Sequence, residues 1–544
     1  MTLPMILLAA AIVALTILIY KFLIYPTWIS PLSRCPNAHW SSAISPLWIL
    51  YHRQQQKDTP TVHAAHTRLG PVIRLAPNEL SVNLVDGGIR TIYSGGFEKG
   101  EWYSNVFGNY GVEPMFAMEC RTEHSQRKRM VSNVYAKSTL QSSPALTKQT
   151  EIILRDRLYP RMRGAAQRGD VIELYDVFSA VTMDFVAAYV FGMKHSCDFI
   201  TDVPAGVKFF EDFKSRQRYT FWPQELPNFT RWMEHLGLKW LLVPNWVASS
   251  NFSIEDWVMA MCNKAEASLK RGDHLEPQDT PTVYAQLRST FIKSAQQSSG
   301  KEESTDDILD EVKLHIASEL VDHTLAGYDT SSITLTWMAW QLSRPQNLHW
   351  QQRLQQEIST LQGSLDAKSI ESLPVLHAVM METLRLHAAI PGNQPRVTPA
   401  LPAVTSLGDP EAGIVYKGLP PGTRVQAQAW SLHRNPEVFP EPDEWNPARW
   451  LDAGEEQQRE MGRWFWAFGS GGRMCVGSNL AMLDMKATMV GLWGCFSTEI
   501  VDDKGMVPNG GYMAEPLGVG PHGVMGVEFG RSFLRCRLRE VKKM

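Results

Sequence analysis

The chain has 544 residues, 44% of them hydrophobic and 20% charged, which describes an ordinary globular protein with ample core. A formal charge of −3 gives no sign of nucleic-acid binding. Seven cysteines (35, 120, 197, 262, 475, 495 and 536) are scattered and form no C-x-x-C pair. That argues against a disulfide framework and a zinc site, and it suits a reducing compartment.

Residues 3–20 are almost wholly apolar, and after Lys21 the run continues through Phe22-Leu23-Ile24. About 22 residues of helix span roughly 33 Å, enough for a bilayer core. Nothing basic precedes the run, while Lys21 and Arg34 follow it. This pattern favours a retained anchor over a cleaved signal peptide, with the bulk of the chain on the cytosolic side. Pro26, Pro31 and Pro36 should then break the helix and make a semi-rigid neck. The expected division is an anchor over 1–25, a proline-rich hinge over 26–45 and one catalytic domain over 46–544.

Further on, 70–82 reads as two short strands around an Ala-Pro-Asn-Glu turn. Residues 95–118 are rich in glycine and aromatics without clear periodicity, so a loop is expected. His124-Ser125-Gln126-Arg127-Lys128-Arg129 opens a helix running toward Tyr135. Aromatics crowd 209–257, a composition that suits a core or a surface dipping into a membrane interface. Residues 271–305 are polar and predict a connector, most flexible at 296–300.

The longest helical candidate is 306–342, ended by Pro345, with Ile308, Val312, Ile316 and Leu320 recurring every four residues. Its middle, Ala326-Gly327-Tyr328-Asp329-Thr330-Ser331-Ser332, breaks local rules. Glycine costs about 1 kcal/mol inside a helix, and an acid beside three hydroxyls is an odd choice for a core. The bland alternative is that Thr330 merely bonds back to the Ala326 carbonyl. Another helix over 373–387 carries Glu382 and Arg385, three apart and on one face.

Toward the carboxyl end lies Phe468-Gly469-Ser470-Gly471-Gly472-Arg473-Met474-Cys475-Val476-Gly477, followed by an apolar helix over 479–493. A thiolate at Cys475 would be stabilised by free N–H groups and by the positive end of that helix. The glycines let the backbone lie close to something large and flat. Arg473 can answer a carboxylate on that object with paired hydrogen bonds. The pattern F-x-x-G-x-R-x-C-x-G resembles the heme-ligand signature of the cytochrome P450 family.

That resemblance extends along the chain. A-G-x-D-T at 326–330 is similar to the family's oxygen-activation motif, E-x-x-R at 382–385 to its structural pair, and Pro447-Ala448-Arg449-Trp450 to its P-x-R-[FW] element. The implied fold is mostly α with small β-sheets, one catalytic domain behind a transmembrane helix. The implied roles make Cys475 the axial ligand of heme b (iron protoporphyrin IX), with Phe468 shielding the sulfur and Gly471 and Gly477 also contributing to heme binding. Arg473, Arg396, His124 and Lys128 would hold the heme, Lys128 standing where relatives carry an Arg and Arg127 or Arg129 being able to replace it. Gly327 and Ala326 would leave room for O2, Asp329 and Thr330 would relay protons, and Glu382, Arg385 and Arg449 would lock the fold. The resemblance further implies NADPH-derived electrons from NADPH-cytochrome P450 reductase, with cytochrome b5 as an optional donor, and a basic docking face at Arg121, Arg127, Lys128 and Arg129. It implies a place in the endoplasmic reticulum membrane and an apolar small-molecule substrate, in the style of filamentous-fungal secondary metabolism. A same-fold enzyme that rearranges an oxygenated substrate without reductase, or a heme-thiolate sensor, are the alternatives.

Overall fold

In the computed structural model, residues 3–272, 274–299, 304–400, 406–518 and 534–541 are described. The organising element is the 39-residue helix Thr305–Ser343, in agreement with its four-residue apolar period. Ser304 caps it by accepting the Asp307 N–H at 3.2 Å. Most of its length is buried, and it packs along the 18-residue helix Leu174–Phe191, whose side chains are nearly all buried. The two helices contribute Val181, Phe185, Leu320, Ile333 and Trp337 to one large core. The helix Leu174–Phe191 and the carboxyl-terminal half of Thr305–Ser343 are apolar nearly all round, so each forms part of the other's surroundings.

Among the described residues, four small sheets flank this helical body. The expected strand pair is present as Val72–Ala76 and Glu79–Val82, antiparallel with Val72 opposite Val82. Arg424–Gln426 then adds parallel to the second strand, and Arg396–Val397 adds antiparallel to it, with Arg396 opposite Val425. A three-stranded sheet joins Val171–Glu173, Arg535–Glu540 and Phe496–Asp502. The architecture is mostly α with small sheets, as the sequence implies.

Several local expectations are corrected. The amino-terminal helix Leu3–Ile19 does not end at Pro26 but continues as a π-helical stretch, Tyr20–Ile29, with Pro26 inside it. Past the proline the turn stays wide, with the Ser30 N–H reaching back five residues to the Tyr25 carbonyl at 2.8 Å. The whole segment Leu3–Ile29 is long and apolar enough to cross a membrane. Nor is the neck free, since the buried Arg74 guanidinium donates to the Pro26 carbonyl at 2.7 Å and Leu32 and Cys35 are buried beside the sheet.

The glycine-rich loop at 95–118 contains a helix, Glu101–Phe107, with Trp102 and Tyr103 buried. The helix holding His124 is Arg121–Val131 and stops short of Tyr135. The polar connector is largely the helix Thr282–Ser299. Its average polarity hides a stripe, Val283, Leu287 and Phe291, that is buried in the main core. The glycines from Gly518 to Gly526 predict a turn-rich β region, all of which but Gly518 lies outside the described residues. The aromatics of 209–257 divide: Phe210 and Phe213 are buried, whereas Phe229, Trp232, Trp240 and Trp246 are exposed.

Candidate functional site

The cysteine loop is set by its own backbone. Gly469 and Gly471 take φ of +68° and +71°, which side chains disfavour. A Cβ on Gly471 would also stand 2.3 Å from the Tyr93 carbonyl oxygen, so this position requires glycine twice over. Gly477 has no such neighbour, and a Cβ there would meet nothing within 4 Å. The Cys475 N–H closes the loop onto the Phe468 carbonyl at 3.0 Å, and Trp466 N–H donates to His433 Nε2 at 2.7 Å. The helix Ser478–Trp493 begins immediately after. Cys475 is exposed, while the other six cysteines, also free, are buried or half-buried.

The surrounding protein pushes the Cys475 thiol up, and the N–H groups of Gly477 and Ser478 with Lys128 only partly offset this. Loop and helix end alone therefore do not make the expected thiolate; a coordinated metal would.

Cations gather around the loop from four segments. Arg473 donates to the carbonyls of Met118 and Glu119 at 2.6 and 2.5 Å. Arg396 donates to Tyr103 Oη at 2.7 Å and to the Pro395 carbonyl at 2.9 Å. Lys99, which the sequence reading missed, is buried, donates to the Phe116 carbonyl, and has Nζ 4.0 Å from the ring centroids of both Tyr103 and Phe116. Burial, then Arg396 and Arg473, press the Lys99 ammonium well below its ordinary value. Burial and the charges of Arg473, Lys99, Lys128 and Arg396 lower buried His124 to about 3, so its imidazole is neutral at physiological pH. Burial and Arg396 bring Arg473 to about 10, which leaves it charged.

Among the described residues, Lys99, Arg396 and Arg473 form no ion pair with a carboxylate; their partners are carbonyls, a phenol and aromatic faces. An exposed thiol beside repelling, uncompensated cations fits a metal ion held in a flat group that carries carboxylates. The donor set therefore fits heme.

Two expectations about this cluster change. Lys128 turns to the loop itself, donating to the carbonyls of Gly472 and Met474 at 3.0 and 2.8 Å. Arg127 cannot replace it, because it pairs with buried Glu319 at 2.7 Å and lies over Phe291. The basic face is thinner for the same reason, with only Arg121 and Arg129 fully exposed.

The long helix presents Asp322, Ala326, Asp329 and Thr330 to a cavity of about 730 Å³, walled also by Phe116, Val321, Leu325 and Ile390. Tyr512 and Met513, from near the carboxyl end, line it too. The Thr330 hydroxyl makes the back-bond to the Ala326 carbonyl at 2.9 Å, while half-exposed in the cavity lining. A Cβ at Gly327 would stand 2.8 Å from Val186 Cγ2, so this glycine also allows the neighbouring helix to approach.

Asp329 is buried and does not stand alone. It pairs with Lys214 of the helix Val203–Arg216 and accepts from Gln217 at 3.2 Å. Lys214 is also bonded to Glu515 at 2.5 Å. Burial raises the Asp329 carboxyl, with Glu515 adding to the rise and Lys214 opposing it. Burial and Glu319 lift Asp322 to about 7, against the pull of Lys99. Lys214, Glu515 and Asp322 were not legible as site residues: each is one charged residue in an otherwise unremarkable stretch.

The expected Glu–Arg–Arg cluster is present. Fully buried Arg385 donates twice to Glu382, both at 2.8 Å, and to the carbonyls of His433, Pro442 and Glu444 at 3.0, 2.6 and 2.8 Å. Glu382 also receives Trp450 Nε1 and the Asn446 N–H, each at 2.9 Å, and Arg449 at 3.4 Å.

Comparison with known proteins agrees with this geometry. The family model described as Cytochrome P450 matches residues 45–513. Cytochrome P450 monooxygenase avaI of Aspergillus versicolor is 31% identical over 77% of this chain and 93% of its own length. Cytochrome P450 monooxygenase orf2 of Aspergillus niger is 25% identical over 88% of each. Cytochrome P450 monooxygenase stcB of Emericella nidulans is 26% identical over 84% of this chain and 81% of its own. With a cysteine loop that fits heme and a family match over most of its length, this chain belongs to the cytochrome P450 family and is a monooxygenase, an oxidoreductase that uses heme and O2.

Proposed function

We propose that this chain oxidises an apolar small molecule in fungal secondary metabolism, of terpenoid, polyketide or related origin, with NADPH-derived electrons from a separate NADPH-cytochrome P450 reductase and cytochrome b5 as an optional donor. The observation that carries the reading is one arrangement: an exposed cysteine among uncompensated cations, and a long helix that turns Thr330 into a largely apolar cavity. Heme, when bound, supplies the reductive activation of O2, and thiolate ligation favours O–O cleavage.

The chain's own residues do the rest. Cys475 would coordinate the iron through its sulfur, and the fixed Gly471 turn sets where that sulfur stands. Arg473, Arg396 and Lys99 would hold the heme carboxylates, and neutral His124 would add one donor. Lys128 acts one step back, by holding the Gly472 and Met474 carbonyls of the ligand loop. The Thr330 hydroxyl donates its one proton to the Ala326 carbonyl and turns its Oγ1 lone pairs to the cavity, so it accepts a hydrogen bond there and, to pass its own proton on, has to release the back-bond. Asp329, sharing the Lys214 ammonium with Glu515, is a proton reserve behind it. Apolar walls exclude water from the reacting region. The helix Leu3–Ile29 would anchor the protein as a single pass in the endoplasmic reticulum membrane, with the exposed Trp232, Trp240 and Trp246 resting on the cytosolic interface.

The test uses membranes holding the full chain, reductase and NADPH, incubated with apolar extract and followed by mass. A NADPH-dependent gain of one oxygen, or loss of two hydrogens, that is absent with Cys475→Ala supports the reading. Consumption of substrate without NADPH use would overturn it in favour of rearrangement. Cys475→Ala should also abolish the thiolate-type spectrum of the reduced carbon-monoxide complex. Thr330→Ala should keep that spectrum while diverting most electrons to peroxide; unchanged coupling would remove the threonine from proton transfer.

A further inference from the structure

The cavity is mainly apolar, but it carries charge, and most of that charge is answered within the protein. Lining residue Arg231 meets Glu101 at 3.4 Å, Lys239 meets Glu234 at 2.7 Å, and Asp329 meets Lys214. Arg216 is different. It ends the helix Val203–Arg216, lines the same cavity, and forms no hydrogen bond or ion pair among the described residues. Its guanidinium lies 4.9 Å from the centroid of the Phe213 ring, which supports the group from one side.

Glu255 and Tyr328 are the groups that face it with any charge. Glu255 is near enough to attract it but forms no ion pair with it, and its Oε1 accepts the Tyr110 N–H at 2.6 Å. Tyr328 is a buried phenol held far above its ordinary value by burial, so it is neutral. Burial lowers Arg216 only to about 10, which leaves a full positive charge at neutral pH. Two amides on other walls are also incomplete: Asn105 Nδ2 and Asn251 Oδ1 are buried, line the cavity and have no partner. Asn251 stands one helical turn before Glu255 on the helix Asn245–Arg271, so it borders the same corner as Arg216. No side chain or carbonyl among the described residues meets the guanidinium at hydrogen-bond distance, and a buried amide donor without a partner is costly. An anionic oxygen acceptor answers both the two-pronged guanidinium donor and Asn105 Nδ2, whereas Asn251 Oδ1, itself an acceptor, calls for a donor on the ligand.

We propose that Arg216 anchors an acidic oxygen group of the substrate, a carboxylate in its simplest form, so that the enzyme oxidises amphipathic acids with an apolar body rather than uncharged hydrocarbons. Asn105 supplies a further donor, and the apolar walls hold the remainder of the molecule toward Thr330. The inference rests on the monooxygenase reading and narrows its substrate class.

The probes are ω-(imidazol-1-yl)alkanoic acids of graded length and the matching ω-(imidazol-1-yl)alkanols, titrated into the heme-loaded full chain. The imidazole binds iron in both series and is read by the Soret shift, so only the distal end differs. At the chain length that reaches Arg216, the acid should bind about ten- to a hundredfold more tightly than the alcohol, the span expected for a desolvated charge-assisted contact. Arg216→Gln should erase that preference while leaving the alcohol's affinity unchanged, and Arg216→Lys should restore part of it. Equal affinities for acid and alcohol at every length, or a preference that survives Arg216→Gln, would overturn the proposal. The reduced carbon-monoxide spectrum of the same samples reports separately on thiolate ligation, so failure of the anchor and failure of the heme reading are distinct results.

Discussion

Two of the buried ionic clusters in this protein use the same residue types to different ends. One joins Glu382, Arg385 and Arg449 beside the cysteine loop. The other joins Arg53, Glu79, Glu225 and Arg424 under the cavity roof. In the first, Arg385 spends its donors on Glu382 and on three backbone carbonyls from 433–444, groups that cannot swing away. In the second, the contacts are mostly between side chains. Arg53 meets Glu225 at 2.9 Å, Arg424 grips Glu225 at 2.9 and 3.1 Å, and the Nε atoms of Arg53 and Arg424 have no hydrogen-bond partner. Glu225 ends the short helix Phe221–Glu225, and the cavity-lining residues Thr220 and Pro223 belong to the same stretch. Saturation by backbone makes a rigid frame, whereas side-chain pairing makes a fastening that can open without unfolding the rest.

Breaking the first cluster should therefore be the more damaging. Arg385→Ala leaves Glu382 buried with its strongest partner gone, and the carbonyls of His433, Pro442 and Glu444 lose a donor. The expected cost is about 3–5 kcal/mol, the range for one partner removed from a buried pair. Because the cluster ties down the segment leading into the cysteine loop, the variant should accumulate poorly and lack the thiolate-type carbon-monoxide spectrum. A folded Arg385→Ala protein with full heme content would show that the two clusters are equivalent fastenings after all.

Glu225→Gln should act on the roof alone. It keeps the shape of the side chain but leaves Arg53 and Arg424 sharing Glu79, at a cost of about 1–3 kcal/mol from weakened hydrogen bonds to charged groups. Heme content should be unchanged, while amide exchange over 221–225 should rise. The same group gives a pH signature. Burial alone would raise the Glu225 carboxyl, but Arg424 and Arg53 hold it down to about 2. An acid whose pKa is depressed on folding gives its full stabilisation above the unfolded value of about 4.3 and loses it as pH falls toward the folded one. Wild-type roof exchange should therefore accelerate between about pH 4 and pH 2, and Glu225→Gln should lack that acid-dependent step. Equal acid dependence in both proteins would dissociate Glu225 from the fastening.

The two clusters also differ in how far the sequence announces them. Glu382 and Arg385 are three apart on a helix that its apolar pattern predicts, so their pairing is a local fact before any fold is known. Arg53, Glu79, Glu225 and Arg424 meet only because a parallel strand pair brings 79 beside 424 and the roof folds over both. No local spacing encodes that. The long helix and the strand pair were legible for the same local reason, through periodicity and turn chemistry. The helix at 282–299 was not, because its narrow buried stripe is diluted by polar residues on every other side. In the site, Cys475 and Thr330 were found by pattern, whereas Lys99, Lys214 and Arg216 become distinctive only through burial and the partners they have or lack.

A motif can mislead about cause even where it locates a residue correctly, and Gly327 is the case to test. Its neighbour in space is Val186 of the helix Leu174–Phe191, with 2.8 Å left for a Cβ. Gly327→Ala should gain about 1 kcal/mol of helix propensity and lose about 1–3 kcal/mol to overpacking, a small net destabilisation. Val186→Ala removes the clashing methyl groups and should relieve the overpacking in the double variant, though each single change is unfavourable. Thermal unfolding of the four proteins gives the coupling directly. If Val186→Ala leaves the penalty of Gly327→Ala untouched while coupling of NADPH use to product falls, then the glycine serves space over the heme. Positive coupling with normal product yield would instead make it, like Arg385, a residue of the frame rather than of the chemistry.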